Sequence, residues 1–241
     1  MSLNVSMKRI LKRLLKILMW CAIFFFGSTI LAVIIYSWVP VRYTPLMLIR
    51  SIEFCDDDSY STKKKWVAIE DISPYMAQAV IAAEDNNFMK HGGFDWTAID
   101  RAIEHNKTSK RTQGASTISQ QVAKNVFLWP NRSYIRKGLE AYFTFLIESF
   151  WSKERIMEVY LNVIETSKGI YGVEATAQKF FKKPAAKLTR GEAAMIAITL
   201  PNPLNRNLAN PSQYMFKRQA QILQLMEKIG PVELKPAPDK K

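Results

Sequence analysis

The feature that most limits what this chain can fold into is a run of 25 residues, 17–41, without a charged side chain (ILMWCAIFFFGSTILAVIIYSWVPV). About 20 apolar helical residues are enough to cross the hydrocarbon core of a bilayer. A core helix of this length would carry a polar stripe, and here only Ser28, Thr29 and Ser37 break the apolar character. A cleaved signal peptide has a shorter apolar region and a small-residue cleavage site, which Ser37-Trp38-Val39-Pro40 does not provide. The run is therefore expected to be a transmembrane helix. Lys8, Arg9, Lys12, Arg13 and Lys16 precede it, whereas only Arg42 and Arg50 follow closely. The positive-inside rule keeps residues 1–16 in the cytoplasm as a basic tail and exports everything after about residue 42.

Export narrows the meaning of the net charge of +13. A strongly basic domain often binds nucleic acid, but one outside the membrane is expected to meet none. Anionic membrane lipids and phosphate-bearing lipid substrates are the expected partners. Cys21 lies inside the run and Cys55 beyond it, so the two cannot pair.

The 241 residues allow one good-sized domain behind this anchor. Residues 41–54 read as a juxtamembrane connector and 56–66 as a polar surface loop. From Ile72 onward the pattern is helical almost throughout, with start signals at Ser73-Pro74, Asp95, Ser133 and Ser152. Thr117 with Gln120, and Thr189 with Glu192, have capping-box spacing. Residues 105–114 (HNKTSKRTQG) are polar and basic without apolar period, which predicts a mobile loop, and 231–241 predict a frayed tail. No repeat and no strand-rich block is present, so the fold is expected to be mainly α.

Candidate chemistry falls in two places. Residues 84–95 (EDNNFMKHGGFD) join the carboxylates of Glu84 and Asp85 to a histidine, a glycine pair and Asp95. An acid that ends an apolar helical run before a glycine turn can be partly desolvated and still reach a substrate, as a general base must. Taken alone, such a pair more often just closes a helix and faces water. Further on, Ser116, Gln120 and Gln121 stand at a helix start, where free N–H groups suit an anion or a sugar. Lys124 follows one turn later, and then Arg132, Arg136 and Lys137 concentrate positive charge around Glu140. An exposed i,i+4 ion pair contributes only a few tenths of a kcal/mol. Cations gathered around a carboxylate suit a diphosphate, with the acid orienting them or holding a divalent cation.

These motifs resemble the peptidoglycan glycosyltransferases of the penicillin-binding protein type, in their monofunctional membrane-anchored form. The resemblance covers about residues 42–228. Glu84, Asp85, Phe88, His91, Gly93, Phe94 and Asp95 match the family's first motif, and Gly114, Ser116, Thr117, Ile118, Gln120 and Gln121 its second. Arg136, Lys137 and Glu140 match the third, residues 153–162 the fourth (with Met157 for Leu), and a fifth block lies in 191–203. Phe180 stands where the family usually has Tyr.

The resemblance implies a lysozyme-like helical lobe (42–230) with a small membrane-proximal jaw lobe, mobile at about 104–135, set outside a bacterial inner membrane. It implies Glu84 as the base that deprotonates the GlcNAc 4-hydroxyl of lipid II. That oxygen attacks C1 of the terminal MurNAc of a growing lipid-linked strand, with inversion and loss of undecaprenyl diphosphate. Lys124, Arg132, Arg136 and Lys137 would stabilise the departing charge. Glu140 would position those cations or a Mg2+ or Mn2+ ion, with no tightly bound cofactor. Ser116, Gln120 and Gln121 would line the sugar and phosphate subsites. Asp85 would hold the turn, His91 would orient, Phe88 would be core, and Lys153, Glu158, Tyr160 and Asn162 would support the cleft. Other cell-wall synthases or division proteins are further expected partners. Two alternatives stay open, a lysozyme-like enzyme that cleaves peptidoglycan and a non-catalytic membrane-anchored scaffold. Ser61-x-x-Lys64 has the spacing of a transpeptidase element but no Lys-Thr-Gly partner, and the length leaves no room for that domain.

Overall fold

The computed structural model describes residues 2–58, 60–109, 114–131 and 133–234, and it divides after Val39 into two compact units. The first is one helix, α1 (Ser2–Tyr36). Its stretch Met7–Tyr36 is long and apolar enough to cross a membrane. The helix begins earlier than the charge-free run, because the Lys, Arg and Leu residues before it are good helix formers. It stops short of Val41 because Pro40 biases the residue before it away from helical angles.

The second unit begins at Pro40, and its first element corrects the connector reading. Residues 41–54 contain a helix, α2 (Pro45–Glu53), started by Thr44, whose hydroxyl accepts from the Met47 N–H at 3.3 Å, and by Pro45 in the first turn. Both are ordinary helix-start signals.

Helix α3 (Pro74–Glu84) is buried on every side from Met76 to Ala82. A helix that is apolar all round belongs at the centre of a domain, and α3 packs against α9 (Arg190–Thr199) and α10 (Gln213–Ile229). Gln78 joins α3 to the end of α10, its amide donating to the carbonyls of Met226 (2.8 Å) and Gly230 (2.6 Å). A second group packs α5 (Ile118–Phe127) on α6 (Tyr134–Phe150) and α7 (Lys153–Val163). Phe127 and Phe143 stack at 4.5 Å between the first two.

Helix α4 (Trp96–Thr108) runs into the stretch expected to be a loop, of which 110–113 lie outside the described residues. The end of the expected frayed tail, 235–241, lies outside them as well.

The mainly α expectation holds, with one small sheet. Strand β1 (Lys63–Lys64) pairs in parallel with β3 (Ile170–Tyr171), which pairs antiparallel with β2 (Glu165–Ser167). Gly172, just ahead of the short helix α8 (Val173–Thr176), follows at φ +79° and ψ +158°, a region essentially confined to glycine. A Cβ there would sit 2.7 Å from the Asn162 carbonyl oxygen. The Asn162 side chain in turn pairs with both backbone groups of Val67 at 2.9 Å. Gly172→Ala is therefore expected to cost about 3 kcal/mol and to lower the thermal midpoint by roughly 6–12 °C. Gly138→Ala, on an exposed position of α6 with open space around it, is the control and should leave the midpoint unchanged or raise it.

Candidate active site

Glu84 is the last residue of α3 and half-buried. The segment after it is held by Asp85, whose carboxylate is buried and accepts from the Ile118 N–H (3.0 Å) and from His91 Nε2 (2.9 Å). The Gly93 N–H donates to His91 Nδ1 at 3.1 Å, so the ring proton sits on Nε2 and points at Asp85. His91 thus joins Gly93 to Asp85, and Asp85 joins the turn to the start of α5.

Gly93 has φ +92°, and a Cβ there would meet Thr144 Cγ2 at 2.7 Å, which accounts for the glycine in this turn. Asp95 closes the segment, accepting from the Ala98 N–H and from Asn87, each at 2.8 Å. Lys153 donates to the His91 carbonyl (2.6 Å) and to Glu148 (2.8 Å) and lies over the Phe88 ring. Glu148 also accepts from the Ser119 hydroxyl, so it ties α5, α6 and α7 to this loop.

Glu84 and Asp85 line a cleft of about 220 Å³ together with Gly114, Ser116 and Thr117. Ser116 is exposed at its edge, where the sequence placed it. Gln120 faces inward instead: its carbonyl oxygen accepts from the Thr117 N–H at 3.0 Å and completes the capping box of α5. Its role here is to hold the helix start. Gln121 donates from Nε2 to Glu84 at 2.9 Å, and its oxygen accepts from the Tyr160 hydroxyl at 3.1 Å. Tyr160 is fully buried. Burial, and then the nearby Glu84 and Asp85, push its hydroxyl well above the usual tyrosine range, so it stays a donor and fixes which way the Gln121 amide faces. This Tyr160–Gln121–Glu84 relay was not legible as a relay in the motifs, which only marked its members.

Burial is the largest influence on Glu84 and pushes its carboxyl up. The Gln121 hydrogen bond and the positive field of Arg206, Arg218 and Lys124 oppose that, and the net direction is upward. Sequence reasoning missed that Arg206 and Arg218 lie within electrostatic reach of Glu84; for Arg206 the signal was a cation just beyond the fifth motif block. Burial likewise lowers Lys124, with Glu140 opposing and Arg136 adding to the shift. Lys124 therefore lies within electrostatic reach of both Glu84 and Glu140.

On α6, Arg136 meets one Glu140 oxygen at 2.8 Å and Lys137 the other at 2.5 Å. Glu140 is 3 % exposed and Arg136 8 %, so this pair is far from the exposed ion pair that sequence alone allows. The buried Arg136 Nε has no hydrogen-bond partner among the described residues. Arg132 lies outside the described residues. Both Glu140 oxygens are held by cations, and among the described residues no group of three or more His, Cys, Asp or Glu side chains could hold a metal.

A family profile described as Transglycosylase matches residues 51–227. The chain belongs to this transglycosylase family. It is 57% identical over 235 residues to a biosynthetic peptidoglycan transglycosylase of Bacteroides thetaiotaomicron, covering 96% of this chain and 94% of the relative. It is 54% identical over 200 residues to the protein of that name from Bdellovibrio bacteriovorus, covering 83% and 80%. The one from Escherichia coli is 47% identical over 220 residues, covering 90% and 89%. The transglycosylase match spans every motif quoted above, from Glu84 to the 191–203 block.

A carboxyl whose folded pKa lies above its unfolded value gives up stability as pH rises through that interval, because the unfolded chain ionises first. Glu84 is such a group. Glu84→Gln keeps an oxygen for Gln121 and removes the charge, so it is expected to raise the thermal midpoint at about pH 7.5. The gain should vanish near pH 4, where the wild-type side chain is itself protonated. A midpoint equal to wild type at both pH values would contradict the upward direction.

Proposed function

We propose that this transglycosylase polymerises the glycan strands of peptidoglycan at the outer face of a bacterial cytoplasmic membrane, using lipid II as acceptor and a growing lipid-linked strand as donor. The observation that carries the reading is an accessible, partly desolvated carboxylate, Glu84, held by Gln121 within the field of a half-buried cation, Lys124. The chain's similarity to proteins named biosynthetic peptidoglycan transglycosylase supports the substrate class.

Glu84 takes the proton of the GlcNAc 4-hydroxyl as that oxygen forms its bond to C1 of the donor MurNAc. The C1–oxygen bond to the diphosphate breaks with inversion, and Glu84 returns its proton to water. A raised carboxyl pKa makes the ionised form a better proton acceptor. No nucleophilic side chain is needed, because the diphosphate leaves readily once its charge is met. Lys124, Arg136 and Lys137 supply positive charge, Glu140 holds the last two in place, and Ser116 borders the sugar subsite. Lys124 also lines a cleft with Leu128, Trp129, Pro130, Leu200 and Pro203, a cation beside apolar walls that suits a prenyl diphosphate. The basic residues ahead of the span support an N-terminus in the cytoplasm.

Purified enzyme given lipid II should yield glycan polymer and free undecaprenyl diphosphate. Cleavage of preformed peptidoglycan without polymer would instead support a lysozyme-like hydrolase. Glu84→Gln is expected to lower the polymerisation rate by about 10²–10⁴-fold while lipid II binding persists; near-wild-type polymerisation would remove Glu84 from the mechanism. Lys137 is half-exposed, so Lys137→Ala tests the diphosphate role with the buried Arg136–Glu140 pair left in place. It should lower kcat/KM by roughly 10–100-fold, and an unchanged value would take Lys137 out of the site.

A further inference from the structure

A third cleft, of about 310 Å³, is walled by Pro40, Val41, Arg42, Tyr43, Lys64 and Trp66, together with Met47 and Thr62. It shares no lining residue with the cleft at Glu84 or with the one at Lys124. Lys64 extends from β1 and donates to the carbonyls of Val41 and, at 3.0 Å, Arg42. Its ammonium lies 5.6 Å from the centre of the Trp66 ring. The Arg155 guanidinium also lies over that ring, at 5.3 Å, and is paired with Glu158 at 2.7 Å.

Two features of this cleft point to an anion. Its lining holds two cations, Arg42 and Lys64, and no carboxylate. Lys64 forms no salt bridge among the described residues, and burial alone lowers its ammonium to about 8. A desolvated ammonium that faces only carbonyls and an aromatic ring lacks the negative charge that would offset its burial.

Its position says where an anion would come from. Arg42 stands six positions after Tyr36, the end of the apolar helix, so chain length keeps it within about 20 Å of that end. Tyr and Trp beside Lys and Arg are the side chains that settle at the headgroup level of a bilayer.

We propose that the cleft formed by Arg42, Tyr43, Lys64 and Trp66 binds the phosphate of an anionic phospholipid at the exit of the span. The phosphate sits against Arg42 and the remaining Lys64 N–H, with the acyl chains left in the bilayer. A bound lipid would hold the connector at Val41 and Arg42 to β1, and so fix the depth of the second unit at the membrane surface.

The test uses the full chain in detergent and native mass spectrometry, with dioleoylphosphatidylglycerol and dioleoylphosphatidylcholine offered in equal amounts. Wild type should retain phosphatidylglycerol roughly tenfold better, the size of one charge-assisted hydrogen bond. Arg42→Gln and Lys64→Gln should each reduce that preference. Arg42 is exposed and keeps the inference testable if Lys64→Gln disturbs the connector. Lys63→Gln, the exposed neighbour on β1, should keep the preference, and the basic residues 8–16 act alike in every variant. An equal loss in Lys63→Gln, or no loss in Arg42→Gln, would overturn the site. Displacement of the lipid by millimolar inorganic phosphate would make the ligand a soluble phosphate and overturn the lipid assignment.

Discussion

The Asp85 carboxylate, buried to 7 % exposure, accepts from the Ile118 N–H and from His91 Nε2. Through it the end of α3, which carries Glu84, is joined to the start of α5, which carries Gln121 and Lys124. A buried charge is tolerated when strong donors surround it, and the N-terminus of a helix provides both free N–H groups and a favourable dipole. Removing one partner of a buried charge commonly costs about 3–5 kcal/mol, more than most single contacts contribute. The neighbouring constraints converge on the same loop: His91 is fixed in tautomer by Gly93, the His91 carbonyl is held by Lys153, and the Thr117 hydroxyl donates to the Gly93 carbonyl at 2.7 Å. Glu84 can therefore be half-buried and still keep one position.

The charges of the site are arranged so that each group is left in its working form. Glu84 is pushed up by burial, yet the cations around it keep that rise in check. Lys124 is pushed down by burial and held up by the acids on either side. Glu140 is paired with Arg136 through one oxygen and with Lys137 through the other, which makes it a holder of cations. A carboxylate with its proton affinity raised thus stands near cations, the arrangement that the proposed reaction with a diphosphate needs.

Local signals were read well. Asp95, Thr117, Ser133, Ser152 and Thr189 each start the helix assigned to them, because a cap is a contact between residues three or four apart. The start of α2 carried the same kind of signal in Thr44-Pro45, but it was masked by nearness to the apolar run. The β1–β3 pairing joins segments more than a hundred residues apart, and no local pattern announces it. Gln120 and Gln121 illustrate the limit at the site. Adjacent and alike in sequence, they point different ways on α5, one into a capping box and the other to the base.

The sequence by itself determined the apolar anchor, the mainly helical build, the helix starts and the motifs that mark the candidate site. All of these are encoded in spacing over a few turns. Tertiary structure decided which residues act on which. Gln121 reaches Glu84 from 37 positions away, and Tyr160 reaches Gln121 from 39. The proton affinities of Glu84 and Lys124 follow from desolvation, which depends on what packs around a group. Packing is a property of the folded chain, so spacing could name the base while only the fold could show how it is held and tuned.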